Sequence, residues 1–118
     1  MEKADLQDRN DITLLLQNFY ARATKDHVIG SKFQHLNMSE HIEVIADFWE
    51  MILFGGSNYK GDPFGKHLHL DLKDEHFEVW VGLFHQTVDE MFEGKNAEES
   101  KTRASTISNV FKHKLKFR

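Results

Sequence analysis

The sequence contains no cysteine and a single proline, Pro63. Without cysteine there is no disulfide, no thiolate zinc site and no Cys-x-x-Cys-His segment for covalent attachment of a cofactor. This absence does not fix a compartment, but it suits a reducing one. One proline and seven glycines leave room for long, uninterrupted helices. No apolar run approaches the roughly eighteen residues of a membrane span. The opening residues, Met1-Glu-Lys-Ala-Asp5, carry no apolar signal core. A soluble, cytoplasmic protein without a membrane partner is expected. A strong excess of one charge is also lacking. Charged residues are 29% of the chain and the net charge is −4, which argues against nucleic acid or an anionic membrane as the main partner. The basic stretch from Lys112 to Arg118 reads as a helix C-terminus complementing its own dipole. At 118 residues the chain fits one domain, 1–118, built on a single hydrophobic core.

What is present is aromatic and helical. Ten Phe stand against two Tyr and two Trp. Ile12, Leu15, Leu16, Phe19, Tyr20 and Ala23 have the spacing of one helical face, and Asn10 or Asp11 can cap that helix. A looser segment follows, with Gly30, Phe33 and His35. A second helix opens near Asn37, which has capping-box spacing to Glu40. His41, Ile45, Phe48 and Ile52 share its apolar face, and Gly55-Gly56 ends it. Residues 55–66 form a loop rich in Gly, Ser, Asn and Asp, of a length often associated with function. His67-Leu-His-Leu-Asp-Leu72 alternates polar and apolar residues and reads as a helical turn or extended connector. A third helix starts near Asp74, and Phe77, Trp80, Val81, Phe84, Val88, Met91 and Phe92 form its stripe. Gly94 closes it. A fourth helix opens at Asn96 with Glu99 as cap partner, and Ala104, Ile107, Val110 or Phe111, and Leu115 form its buried face. The chain therefore reads as all-α.

Eight histidines are many for this length. His27, His35, His76, His85 and His113 occupy polar or loop positions and read as solvated. His41, on an apolar helix face, and His67, between two apolar helices, differ by context. A histidine in either place, taken alone, is more often a hydrogen-bonded core or rim residue than a ligand. Tyr20 and Trp80 read individually as core aromatics with satisfied polar tips. His67-x-His69 could bind zinc if His41, His76 or Asp71 supplied a third ligand, but no His-Glu-x-x-His helix supports that reading.

Taken together, the pieces are more specific. Phe19-Tyr20, Phe33, Glu40-His41, Phe48-Trp49, Tyr59-x-Gly61-x-Pro63, Lys66-His67-Leu68-x-Leu70 and Phe77-x-x-Trp80-x-x-Leu83-Phe84 follow one another in the order and spacing of a truncated haemoglobin of the group III branch. The chain resembles that family from about Asp11 to Phe111. The resemblance implies a truncated globin fold, a sandwich of mainly four helices around one non-covalent b-type haem. It places the proximal iron ligand on His67 and the distal polar positions on Tyr20, His41 and Trp80. Phe33, Ile45, Phe48, Tyr59, Lys66 and Trp80 would contribute to cofactor binding. His69 is not required by the pattern and adds a second imidazole near the proximal side.

The chemistry agrees with these placements. One axial imidazole leaves the sixth iron position open to O2, CO, NO or peroxide. Donors aimed at a ligand that gains negative charge stabilise it, and Tyr20, Trp80 and His41 can all donate. Slow ligand escape suits redox chemistry on O2, NO or peroxide, in the manner of a nitric oxide dioxygenase or a peroxidase, better than bulk oxygen transport. The chain carries no flavin or nicotinamide module, so electrons would come from a separate reductase. The rival readings are a haem-based gas sensor or oxygen-binding module without catalysis, and a cofactor-free helical interaction domain.

Overall fold

The computed structural model describes residues 3–56, 59 and 72–116, with side chains to residue 114. Among the described residues the regular structure is entirely helical. α1 runs Arg9–Ala23, a short 3-10 turn spans Gly30–Phe33, α2 runs Met38–Phe54, α3 Asp74–Met91 and α4 Lys95–Lys116. α1 packs on α2 and α3, and α3 packs on α4. Among the described residues no helix is long and apolar enough to cross a membrane.

The expected face of α1 is buried along its whole length, from Ile12 to Ala23. Phe19 and Phe84, from α1 and α3, are the largest fully buried side chains. Their rings meet edge to face at 5.6 Å, a geometry aromatic pairs favour. The helix starts earlier than expected, and its cap is Asp8 rather than Asn10 or Asp11. Asp8 is extended and its side chain accepts from the Asp11 N–H at 3.1 Å. Asp11 is freed to accept from the Gln7 N–H. Arg9, at the first position of α1, reaches Asp47, Glu50 and Glu43 of α2 at 2.6, 3.1 and 3.2 Å.

α2 begins as read, with the Asn37 side chain accepting from the Glu40 N–H. It stops at Gly55, whose φ of +77° is the left-handed conformation that glycine adopts without penalty. Its apolar face differs from that of α1. Ala46 and Trp49 are buried, but Ile45 and Phe48 are only half-buried. α3 starts at Asp74 as expected and ends at Met91, with Phe92 extended.

The start of α4 departs from the local reading. Its cap is supplied by Asp5, which precedes α1. Asp5 carboxylate oxygens accept from the Asn96 N–H at 2.9 Å and the Ala97 N–H at 2.8 Å, while Asn96 Nδ2 donates to the Leu6 carbonyl. Gly94, at φ +142°, makes room for this contact, since a Cβ there would stand 2.6 Å from Asp5 Cγ. On the buried face of α4 the structure selects Phe111 over Val110, which is 41% exposed. The Leu115 side chain and the connector 67–71 lie outside the described residues.

Candidate functional site

The half-buried face of α2 borders a cavity of about 420 Å³ with a mostly apolar lining. This is within the usual range of small-molecule and cofactor sites, roughly 300–1,000 Å³. α1 contributes Tyr20, the 3-10 turn Phe33, and α2 His41, Ile45 and Phe48. α3 contributes Phe77 and Trp80, and α4 contributes Ile107 and Phe111. A wall assembled from every described helix explains the weak burial of α2, because its apolar face meets open space there.

One wall holds a polar pair. Tyr20 Oη lies 3.0 Å from His41 Nε2. The ring centroids are 5.0 Å apart at 78°. Tyr20 is buried, flanked by Phe19 at 4.8 Å and Phe33 at 5.6 Å. Burial pushes its phenol well above the ordinary tyrosine value, because the phenolate would have to be desolvated. At neutral pH Tyr20 therefore keeps its proton. The hydrogen bond has two polarities. Tyr20 donates when His41 Nε2 is bare. When Nε2 carries the proton, it donates to Oη and the phenolic O–H is free to turn toward an occupant.

Trp80 is fixed by stacking. Its ring lies over Phe84 at 5.9 Å and 17°, and Phe84 lies over Trp49 at 5.1 Å and 12°. Phe19 meets Trp80 edge to face at 6.1 Å. This fixes the ring of Trp80, whose indole N–H can only donate, in the cavity wall. Phe48 meets Tyr59 at 5.3 Å. Tyr59 also lines the cavity.

The structure thus brings Tyr20, Phe33, His41, Ile45, Phe48, Tyr59 and Trp80 around one space. Lys66 and His67 lie outside the described residues, as does His69. Several lining residues were not singled out as site residues, among them Lys32, Leu36, Leu72 and His76. Two of the histidines read as solvated are half-buried and engaged instead. His76 Nδ1 accepts from the Lys73 N–H, and His85 Nε2 lies 3.0 Å from both the Lys101 carbonyl and Ser105 Oγ. The available signal was register. His76 sits one turn before Trp80, and His85 faces α4. Among the described residues no group of three or more His, Asp or Glu is placed to hold a metal ion.

A helical frame around an apolar cavity with a few converging donors is the architecture of a cofactor-binding protein. Comparison with known sequences identifies the class. Residues 6–116 match the profile of the bacterial-like globins, and the chain belongs to that family. It is similar to the group 3 truncated hemoglobin ctb of Campylobacter jejuni subsp. jejuni serotype O:2, with 28% identity over 96% of this chain and 94% of that protein. It also superposes on the crystal structure of the group III truncated hemoglobin from Campylobacter jejuni. The TM-score is 0.88 at 28% identity, again over 96% and 94% of the two chains. The all-α truncated globin fold is therefore that of this chain.

Membership of the globins implies haem. The described residues fit that group. Ile45 and Phe48 are half-buried and border the cavity, and burying the rest of their apolar surface against a macrocycle would be favourable at roughly 25 cal/mol per Å². Tyr20, His41 and Trp80 bring donors to a cavity whose lining is mostly apolar.

Proposed function

We propose that the chain holds one non-covalent b-type haem and uses it for redox chemistry on O2, NO or peroxide rather than bulk oxygen transport. His67 is the proximal ligand in this reading. It is carried by the Lys66-His67-Leu68-x-Leu70 segment and by the resemblance to group III truncated haemoglobins. When bound, the haem would supply an iron able to bind a small ligand and exchange electrons with it. The chain's residues do the rest. Phe33, Ile45 and Phe48 exclude water and so strengthen each polar contact inside. Trp80 donates from a ring held by its stack. Tyr20 donates from a phenol that burial keeps protonated. His41 sets the direction of the Tyr20 hydrogen and adds a proton that can be passed along the pair.

The part-buried Tyr20–His41 hydrogen bond, 3.0 Å long at the cavity wall, is the observation that carries this reading. An oxygen carrier needs only moderate retention, whereas adjoining donors favour a ligand that gains charge as it reacts. The test supplies the reduced, haem-loaded protein with an electron donor and follows consumption of nitric oxide in the presence of dioxygen, and of hydrogen peroxide. Sustained consumption of one of them, falling roughly tenfold or more in Tyr20→Phe, is expected. Rapid, reversible dioxygen exchange with no consumption of either would identify a carrier or sensor instead.

A further inference from the structure

We propose that His76 is an anchor for a carboxylate of the cofactor. The proposal rests on the haem reading above and extends it to a residue outside the distal set. α3 begins after Lys73, whose ammonium has no lone pair with which to cap a helix. The first turn is closed from the other direction. His76 Nδ1 accepts the Lys73 backbone N–H at 2.8 Å, and the His76 N–H returns to the Lys73 carbonyl at 2.9 Å.

This bond assigns the tautomer. A ring nitrogen that accepts an N–H carries no proton, so in the neutral ring the hydrogen sits on Nε2. Nδ1 is turned back to the backbone, and Nε2–H is the polar group left on the outer edge of the ring. His76 is half-buried and borders the cavity, one turn before Trp80 on α3. The same cavity is lined by Leu72, Phe77 and Phe111, which offer no side-chain acceptor, and by Ser108, whose hydroxyl can accept as well as donate.

A donor on an apolar wall favours an occupant that brings its own acceptor. A b-type haem has one kind of strong acceptor, its two propionate carboxylates. Lys32, from the 3-10 turn, lines the same cavity and adds a positive charge suited to the same groups. His76 then has two roles. One nitrogen starts α3 and the other holds the cofactor, so the helix that carries Trp80 is registered directly against the haem.

Amide side chains separate the two roles. His76→Asn places an oxygen near the position of Nδ1 and keeps the helix cap, but it has no donor at the ε position. His76→Gln puts an amide N–H2 near the position of Nε2. Each protein is loaded with haemin or with haemin dimethyl ester, and loss to an excess of haem-scavenging apoglobin is followed by absorbance. Circular dichroism checks the helical content. His76→Asn is expected to lose haemin roughly tenfold faster than wild type, with His76→Gln close to wild type. With the dimethyl ester, which has no carboxylate, wild type and His76→Asn should lose the cofactor at the same rate. Equal haemin loss from wild type and His76→Asn overturns the assignment, as does a gap that persists with the ester. A wild-type protein that takes up neither compound overturns the haem reading, and this inference with it.

Discussion

Tyr20 carries two separate consequences of its position. The first concerns donation. Its hydroxyl and the Trp80 indole reach the same cavity, and a hydrogen bond to a charged acceptor contributes about 1.5–3 kcal/mol. Tyr20→Phe and Trp80→Phe should therefore each speed dioxygen release by about 10- to 150-fold if the exit barrier takes the full loss. Carbon monoxide release should change less, because that ligand gathers less negative charge. The effects of Tyr20→Phe and His41→Leu should fall short of additive, since the two side chains share one hydrogen bond. Stopped-flow ligand replacement on the singles and doubles measures this. Unchanged or slower dioxygen release in both Tyr20→Phe and Trp80→Phe would reduce these residues to core aromatics. The second consequence is alkaline lability. Burial raises the Tyr20 phenol above its ordinary value of 10.0. Above that value the unfolded chain releases a proton that the folded chain keeps. Stability is then fully present below pH 10 and falls as pH rises toward the folded value, by up to about 1.4 kcal/mol per pH unit. Denaturant midpoints between about pH 9 and 11.5 should show this slope, and Tyr20→Phe should lack it. An identical slope in the variant would contradict a buried, protonated phenol.

At the scale of the helix, faces were legible and some ends were not. Apolar spacing is local, so the buried side of α1 and the stripe of α3 could be read directly, from Ile12 to Ala23 and from Phe77 to Val88. The Asn37 cap and the Gly55 stop were legible for the same reason. The start of α4 was not, because its acceptor stands 91 residues away in sequence. Asp5 accepts from Leu6, Asn96 and Ala97, so it pins the segment before α1 to the fourth helix. Asp5→Ala should lower stability by about 1–2 kcal/mol, read as a shift in denaturant midpoint with unchanged slope. Amide exchange at Asn96 and Ala97 should quicken more than at the buried centre of α3. A change within a few tenths of a kcal/mol would mean that the helix caps itself.

For the molecule as a whole, the cavity is where local sequence patterns stop being informative. Tyr20, Phe33, His41, Ile45, Phe48, Tyr59 and Trp80 could be placed around one site because their order along the chain resembles a known family. Phe77, Ile107 and Phe111 were legible only as buried faces. Whether an apolar face meets a neighbouring helix or an open space depends on how all the helices pack together. His76 looked solvated because its polarity was visible and its contact with the start of α3 was not. The central claim is that this space belongs to a haem held by His67. Titrating haemin into the wild-type protein, His67→Ala and His69→Ala, and recording the Soret band, tests it most directly. One haem per chain is expected in wild type and in His69→Ala, with uptake abolished or severely weakened in His67→Ala. A wild-type protein with no Soret band, or haem lost in His69→Ala but kept in His67→Ala, would contradict it.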